Sequence, residues 1–285
     1  MAPIAPAADH ETHEDGAQTD FAARYGPWAV VMGASEGTGR AFSRAIAARG
    51  VRPMLIARRS APLETLAEEI QRETGVACVT APIDLAASDA TDRMIDAVGA
   101  REVGLYVSNA GSDPHGQGFL DADVSAWADL VQRNVMTVLK SAHHFAGPMR
   151  TRRHGGLLLV NSGACYGGLA TMGPYCGSKA FNLCLAEALW AELRPFGVDV
   201  LTLVLSRTDT PEFRRYMAAK GMDLPADCAS PDDVARVGLE RLPHGPVKNW
   251  NEEDDEAGMT SQSAAQRRER ILAIEKLTRR MIGQE

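Results

Sequence analysis

The chain has 285 residues, a formal net charge of −7 and a pI near 5.6, which fits one large α/β domain with a buried core. The acidic balance and the lack of a basic stripe with interleaved aromatic residues argue against a nucleic-acid partner. No apolar run approaches the roughly 18 residues of a membrane span, and the five cysteines form no C-x-x-C pair or metal-type spacing with histidine, so we expect no membrane span, no metal site and reduced thiols in a cytoplasmic protein.

The predicted elements begin after an N-terminal tail. Residues 1–22 are rich in Ala, Pro, Asp and Glu and lack the apolar core of a secretory signal, so we predict a disordered tail. Residues 23–285 are predicted to form a single domain, in which apolar strand-like runs alternate with amphipathic segments of helix length. This alternation is typical of βαβ units and a parallel sheet. The predicted strands are 28–33, 53–57, 77–82, 103–108, 156–161 and 198–205, and the predicted helices are 38–49, 61–74, 87–98, 124–150 and 173–195.

The C-terminal third departs from this repeat. Residues 206–229 contain two prolines and a glycine and are predicted to be a lid segment over a ligand site. Ser230, with Pro231 at the next position, predicts the start of another helix. Further on, residues 252–256 are predicted to be an acidic exposed loop, and 260–282 a basic amphipathic helix. The basic face of that helix fits either a solvated outer face or a surface for a membrane or a partner.

A glycine-rich turn directly follows the first predicted strand. It consists of Gly33, Ala34, Ser35, Glu36, Gly37, Thr38 and Gly39, and a predicted helix comes next. Glycines allow the backbone to approach a pyrophosphate closely, and the helix N-terminus offers unpaired N–H groups. The turn therefore predicts a dinucleotide-binding site.

The second predicted strand ends in Arg58 and Arg59, at the place where an NAD site has an acidic residue. A guanidinium group pairs well with a phosphate, so these arginines favour the 2′-phosphate of NADP. Glu36 opposes this interpretation mildly, because it brings a negative charge near the same place. Solvated arginines without a ligand are the alternative.

Tyr175 and Lys179 lie four residues apart near the start of the last long predicted helix, so their side chains share one helix face. We expect the ammonium to lower the pKa of the phenol, which would suit the tyrosine to proton transfer. Ser162 precedes Tyr175 by thirteen residues and ends an apolar run. The sequence around Ser162 lacks the G-x-S-x-G elbow of a hydrolase nucleophile, so a supporting hydroxyl is the better interpretation.

Together these motifs resemble the short-chain dehydrogenase/reductase family over roughly residues 26–242. Gly33, Gly37 and Gly39 match its glycine turn, Asp84 and Leu85 its adenine-contacting pair, Asn109, Ala110 and Gly111 its N-N-A-G strand end, Asn134 its helix asparagine, and Ser162, Tyr175 and Lys179 its serine and Y-x-x-x-K pair. The resemblance implies a three-layer Rossmann-type fold, a doubly wound parallel sheet with helices on both faces. The chain departs from the family at Met32, Ser108, Leu205 and Ser206, which concern the turns near the nicotinamide.

The resemblance also implies the chemistry. An NADP-dependent oxidoreductase would pass a hydride between nicotinamide and a carbonyl carbon, with Tyr175 as general acid or base and Ser162 binding the same oxygen. Lys179 would hold the ribose hydroxyls, and Asn134 would support a water leading from Lys179 to solvent. Thr208 and Thr210 lie in a segment that resembles the family's contact with the nicotinamide carboxamide.

Substrate and assembly are less closely defined by the sequence. The predicted walls of the substrate site are mostly apolar and come from residues 112–118, 163–169 and 206–229. They predict a substrate that is a hydrophobic ketone or secondary alcohol with a steroid-like, aromatic, alicyclic or acyl body. Arg207, Arg214 and Arg215 leave a carboxylate or phosphate substrate open. The alternatives are a catalytically idle NADP-sensing protein and an NAD-dependent alcohol dehydrogenase. The predicted helix 173–195 carries Phe181, Leu183, Leu185 and Trp190. In the family this helix and the 124–150 helix usually form subunit contacts, which implies a homodimer or homotetramer.

Overall fold

The sheet is the framework of the molecule, of which the computed structural model describes residues 20–113, 116–250 and 276. Every strand pairing among these residues is parallel, and the order is β3-β2-β1-β4-β5-β6-β7. The strands are β1 (Trp28–Met32), β2 (Arg52–Ala57), β3 (Val79–Pro82), β4 (Val103–Ser108), β5 (Gly155–Ser162), β6 (Val198–Leu205) and β7 (Val247–Asn249).

Helices connect the strands and cover both faces of the sheet. Residues 20–25 form a short helix, α1, ahead of the first strand. The others are α2 (Gly37–Ala47), α3 (Ser60–Thr74), α4 (Ala90–Val98), α5 (Val124–Val131), α6 (Thr137–Arg152), α7 (Gly173–Leu193), α8 (Pro211–Ala219) and α9 (Pro231–Arg241). A π-helical turn, Gln132–Met136, joins α5 to α6.

Two apolar cores lie on opposite faces of the sheet, because successive side chains of a strand point to opposite sides. Val31 packs on the side of α2, α3 and α9, with Phe42 and Leu239 in the same cluster. Val30 packs on the other side, with Phe145 of α6 in its cluster. The result is the predicted three-layer architecture with a doubly wound parallel sheet.

The strand order reverses between β1 and β4, and this reversal opens a crevice at the carboxyl ends of the strands. Ala110, just after β4, donates its backbone N–H to the Met32 carbonyl at 3.1 Å. On the next pair of strands, Ser162 at the end of β5 lies beside Leu205 at the end of β6. The fold therefore brings the glycine turn, the strand-end polar residues and the start of the 206–229 segment to one edge.

Most predicted elements agree with the structure to within two or three residues, and the exceptions are local. The predicted helix 124–150 is interrupted by the π-helical turn. The 206–229 segment contains α8, and β7 adds a strand beside β6 that was not predicted. Residues 20–22, placed in the predicted tail, lie in α1. The rest of the tail, the acidic loop 252–256 and the helix 260–282 lie outside the described residues, apart from Lys276, which is helical.

Candidate active site

The glycine turn has the conformation that its residues predict. Gly33 and Gly37 have φ values of 75° and 56°, which favour glycine over any other residue. A Cβ on Gly39 would overlap the carbonyl oxygen of Gly33, so the start of α2 and the end of β1 are in direct backbone contact. Asn109 donates its side-chain N–H to that same carbonyl at 3.2 Å. Asn109, the residue directly after β4, thus fixes the backbone of the turn.

The residues predicted to bind the adenosine end follow β2 and β3, whose carboxyl ends lie at the same edge of the sheet as this turn. Arg58 and Arg59 are exposed at the end of β2, and Arg59 contacts the Glu36 carboxylate at 3.4 Å. Asp84 is exposed and accepts the backbone N–H of Ala86 at 3.1 Å, which fixes the turn after β3. Leu85 is buried, and its carbonyl accepts the hydroxyl of Thr137.

Ser162, Tyr175 and Lys179 come together where β5 ends and α7 begins. Ser162 accepts the backbone N–H of Ala164 at 3.3 Å, and its hydroxyl also forms a hydrogen bond with Tyr175. The Lys179 ammonium lies 5.7 Å from the centre of the Tyr175 ring, as the four-residue spacing predicts. Lys179 is buried and donates to the carbonyl oxygen of Val160 at 3.1 Å.

The electrostatics of this group differ from the expectation in one respect. Burial raises the pKa of Tyr175 to about 12, and the hydrogen bond with Ser162 only partly offsets the rise. Burial lowers the pKa of Lys179 to about 8, and the nearby Arg133 guanidinium acts in the same direction. The expectation that Lys179 lowers the pKa of Tyr175 is therefore wrong, because the pKa of the phenol is raised. Removal of water from the phenol dominates instead.

Asn134 lies in the π-helical turn, with its side-chain oxygen facing Lys179 across Gly111. A Cβ on Gly111 would lie 3.2 Å from the Lys179 Nζ and 3.3 Å from the Asn134 Oδ1, so the three residues converge. The π turn widens the helix at this point, and such turns are frequent at functional sites. The Asn134 Nδ2 donates to the hydroxyl of Ser178 at 3.2 Å, and its backbone carbonyl accepts from Asn182 at 3.0 Å.

Several residues that support this group were not predicted. Ser178 and Asn182 lie on α7 and hold Asn134 as described above. Asn161 donates to the backbone carbonyl of Lys179 at 3.1 Å and accepts the backbone N–H of Ser162 at 2.9 Å. Arg133 donates to the Asn134 Oδ1 at 3.2 Å and to the carbonyl of Ser112 at 3.0 Å. Asparagine and serine directly beside motif residues were the available sequence signal, although it is a weak one.

The segment 206–229 lies over the glycine turn. The Thr210 hydroxyl caps α8 by accepting the N–H of Phe213, and a Cβ on Gly37 would lie 3.0 Å from Thr210. Thr208 forms a bridge with Ala229, and its own hydroxyl is buried without a hydrogen-bond partner among the described residues.

The three arginines of this segment are all ion-paired. Arg207 pairs with Asp227 at 2.5 Å, Arg214 with Asp209 at 2.5 Å and Arg215 with Glu36 at 2.7 Å. A carboxylate or phosphate substrate would therefore have to displace an acidic side chain of the protein.

The predicted substrate walls are only partly apolar. Ala164 and Cys165 are buried in a 3₁₀ turn after Ser162, and Met217 of α8 is buried as well. The hydroxyl of Tyr166 donates to the Asn249 side chain at 2.7 Å, which turns the polar end of the tyrosine toward β7. Of the first wall, Pro114 and His115 lie outside the described residues.

The comparisons with known proteins identify the family. The family profile for "short chain dehydrogenase" matches residues 27–220. The chain belongs to the short-chain dehydrogenase family. Members of this family are oxidoreductases that act on CH–OH and C=O groups with a nicotinamide cofactor, and so is this protein.

Two relatives in this family act on steroids according to their names. A 7beta-hydroxysteroid dehydrogenase of Clostridium sardiniense is 31% identical over 225 residues, which cover 78% of this chain and 85% of that protein. A 17-beta-hydroxysteroid dehydrogenase type 3 of Mus musculus is 31% identical over 195 residues, 68% of this chain and 64% of the mouse protein.

Two solved structures have similar folds. One comes from work on 7beta-hydroxysteroid dehydrogenase stereoselectivity, with a TM-score of 0.74, 26% identity and coverage of 80% of this chain and 88% of its own. The other is a short-chain dehydrogenase of Sphingobium yanoikuyae in complex with NADPH, with a TM-score of 0.71, 23% identity and coverage of 88% and 95%. At the latter identity the similarity concerns the fold alone.

The residues of this short-chain dehydrogenase fit a nicotinamide dinucleotide. The glycine turn forms a cradle in which a side chain at Gly33, Gly37 or Gly39 would meet neighbouring atoms at 3.0 Å or less. The Thr208 hydroxyl is buried near the same edge and has no hydrogen-bond partner within residues 20–113 and 116–250, so it is a polar group that a ligand amide would satisfy. Among the described residues no helix is long and apolar enough to cross a membrane. The cytoplasmic location stays a prediction.

Proposed function

We propose that this protein is an NADP(H)-dependent reductase of hydrophobic ketones, which also oxidises the corresponding secondary alcohols. The observation that carries the proposal is the convergence of Ser162, Tyr175 and Lys179 at the sheet edge that also holds the glycine turn. A proton donor, a second hydrogen-bond donor and a buried cation thus lie beside a cradle for a dinucleotide. A catalytically idle sensor protein would have no need to keep these three groups together.

Each side chain has a part in the reaction that its surroundings support. The cofactor, when bound, supplies or accepts the hydride. Tyr175 is neutral near pH 7 because its pKa is about 12, so it can donate its proton to the carbonyl oxygen during reduction. Ser162 donates a hydrogen bond to the same oxygen, and a donor aimed at developing charge can contribute roughly 3 kcal/mol.

Lys179 and Asn134 support the role of Tyr175 as proton donor. Lys179 is fixed by the Val160 carbonyl and faces Gly111, where the ribose hydroxyls of a dinucleotide would be bound. Its pKa of about 8 means that it can release or take up a proton near neutrality. Asn134, held by Ser178 and Asn182, lies next to it and would support a path for that proton toward solvent.

The preference for NADP rests on charge at the end of β2. Arg58 has no ion-pair partner in the described part of the chain, and Arg59 makes only a long contact with Glu36 at 3.4 Å. Both side chains are exposed where the ribose of the adenosine end would lie, and they stand at the place where an NAD site has an acidic residue. A 2′-phosphate would compensate this positive charge, whereas the 2′-hydroxyl of NAD would not.

A steroid or a similarly bulky alicyclic ketone is the substrate class that we propose. Relatives at 31% and 26% identity are named for hydroxysteroid chemistry. The turn after Ser162 buries Ala164 and Cys165, and α8 contributes the buried Met217, which gives an apolar and adaptable lining.

A homodimer or homotetramer completes the proposal. Four large apolar side chains are exposed within α5, α6 and α7, the helices predicted to form subunit contacts. These are Val124, Val131, Leu139 and Phe181. Trp190, also expected in a contact, packs partly against the core and lies under the guanidinium of Arg194 at 4.4 Å. A monomer mass by light scattering at micromolar concentration would refute the proposed homodimer or homotetramer.

Titration with each dinucleotide followed by turnover tests the function. NADPH and NADH are titrated against the protein, and loss of the nicotinamide absorbance is then followed with steroid ketones, aryl ketones and charged keto acids. We expect tighter binding of NADPH and oxidation of NADPH with the steroid ketones. The Tyr175→Phe variant should bind NADPH normally and lose turnover by at least about 10²-fold, because the proton donor is gone.

Three results would contradict the proposal in different ways. Tight NADPH binding without turnover of any ketone would favour the sensor protein. Tighter binding of NADH would favour the NAD-dependent alcohol dehydrogenase. Turnover of charged keto acids alone would leave the reaction class intact and refute the apolar substrate.

A further inference from the structure

The Glu36 carboxylate joins the glycine turn to the helix α8. Arg215 donates to its Oε1 at 2.7 Å and to its Oε2 at 3.4 Å, and Arg59 contacts Oε2 at 3.4 Å. Arg59 comes from the end of β2 and Arg215 from a segment about 150 residues further along the chain. Two guanidinium groups from separate elements therefore converge on one anion at the predicted adenosine end of the site.

The charges around this point are not balanced. Arg58, Arg59 and Arg215 bring three positive charges, and Glu36 and Glu212 bring two negative charges, of which Glu212 acts on Arg215 from the same helix. The balance is one positive charge, which favours a phosphate monoester with close to two negative charges over an uncharged hydroxyl. Guanidinium groups bind phosphate as well as carboxylate, because the fork of donors matches two oxygens of either.

Contact between α8 and the glycine turn keeps Arg215 within reach of the Glu36 carboxylate. Thr210, the residue that caps α8, lies against Gly37, next to Glu36 in the chain. The neighbouring Arg214 faces away and makes a two-point ion pair with Asp209, at 2.5 and 2.6 Å, within its own segment. Adjacent arginines on one helix thus have different partners, and only Arg215 faces the nucleotide end.

We propose that Arg215 is a specificity-determining residue, which moves from Glu36 to the 2′-phosphate of NADP and so ties α8 down over the bound dinucleotide. This inference rests on the proposed function. The ion pair of Glu36 with Arg215 is exposed, with 32% and 61% of the side chains accessible, and exposed pairs of this kind are weak. Without NADP, Glu36 holds Arg215 in position. On binding, the 2′-phosphate is the stronger anion and displaces the Glu36 carboxylate from Arg215.

Binding measured by titration calorimetry at fixed ionic strength tests this role without relying on turnover. Arg215→Gln should raise the Kd for NADPH about tenfold and leave the Kd for NADH within about twofold, because only NADPH carries the 2′-phosphate. Arg214→Gln is the matched control and should change neither value. Arg215→Lys should restore part of the loss, since it keeps the charge but not the fork.

Glu36→Gln provides an opposite and independent result. It releases Arg59 and Arg215 from the carboxylate, so NADPH should bind several-fold more tightly, with NADH little changed. If Arg215 were only a structural partner of Glu36, Arg215→Gln would affect both dinucleotides alike, and Glu36→Gln would tighten NADPH binding by the same factor in the Arg215→Gln background as in the wild type.

The outcomes separate this inference from the proposed function. A wild-type protein that does not prefer NADPH over NADH would refute the NADP assignment and the role of Arg215 together. A wild-type protein that prefers NADPH, with the preference unchanged in Arg215→Gln, would refute the role of Arg215 and leave the proposed function standing.

Discussion

Replacement of Lys179 by methionine should make the protein more stable while removing its activity. Lys179 is only 3% exposed, and burial lowers its pKa from 10.5 to about 8. The difference of about 2.5 pH units corresponds to about 3 kcal/mol of cost for keeping the ammonium charged in the folded protein near pH 7. Methionine retains the apolar stem at similar volume, but it loses the hydrogen bond to the Val160 carbonyl, which contributes about 1 kcal/mol. The net expected gain is about 2 kcal/mol.

The gain must depend on pH in one direction. The pKa of Lys179 in the folded state lies below its unfolded value, so the cost is fully present below about pH 8 and disappears as the pH rises toward 10.5. At pH 9.5 the remaining cost is about 1 kcal/mol, which is similar to the contribution of the lost hydrogen bond. The advantage of Lys179→Met over wild type should therefore be about 2 kcal/mol at pH 7 and close to zero at pH 9.5.

Urea unfolding followed by circular dichroism at the two pH values measures this difference. Lys220→Met, which replaces an exposed lysine at the end of α8, is the control and should show little pH-dependent difference from wild type. A Lys179→Met protein that is less stable than wild type at pH 7, or whose advantage does not change with pH, would refute the assignment of a costly buried ammonium.

Three further changes test the site and its supports. Ser162→Ala should lower kcat about 10²-fold with little change in melting temperature, since it removes one donor to the substrate oxygen; steady-state kinetics would decide, and an unchanged kcat would exclude the role. Asn161→Ala should lower the free energy of unfolding by about 2–3 kcal/mol, because the backbone groups of Lys179 and Ser162 lose a buried hydrogen-bond partner. An unchanged free energy in urea unfolding would contradict this supporting role. Gly39→Ala should abolish NADPH binding in a titration, because its Cβ would overlap the Gly33 carbonyl, and normal binding would disprove the tight turn.

The sequence predicts the elements whose signals are local. The run 156–160, just before Asn161 and Ser162, is apolar throughout because β5 is buried on both faces, and such runs are easy to identify. Ser230 with Pro231 predicts the start of α9, where the Ser230 hydroxyl accepts the N–H of Asp233. The spacing of Tyr175 and Lys179 places both side chains on one face of α7, and the observed ring-to-ammonium distance agrees with it.

The remaining features depend on contacts that a sequence pattern does not contain. β7 has three residues of intermediate burial, too few for an alternation to appear. α8 does have a start signal, Thr210 followed by Pro211, but the surrounding polar and glycine residues outweigh it. The pKa of Tyr175 depends on how much water the fold removes from the phenol, and the contact between Glu36 and Arg215 joins residues 179 positions apart.

Transfer of deuterium to a steroid ketone from NADPH that carries deuterium at both positions of the nicotinamide C4 tests the proposed reaction most directly. Reduction by the wild-type protein should give an alcohol that is one mass unit heavier, with the label on the carbinol carbon. Tyr175→Phe should bind the dinucleotide and form almost none of this product. A product without label, or equal labelled product from Tyr175→Phe, would contradict hydride transfer to a carbonyl with Tyr175 as its proton donor.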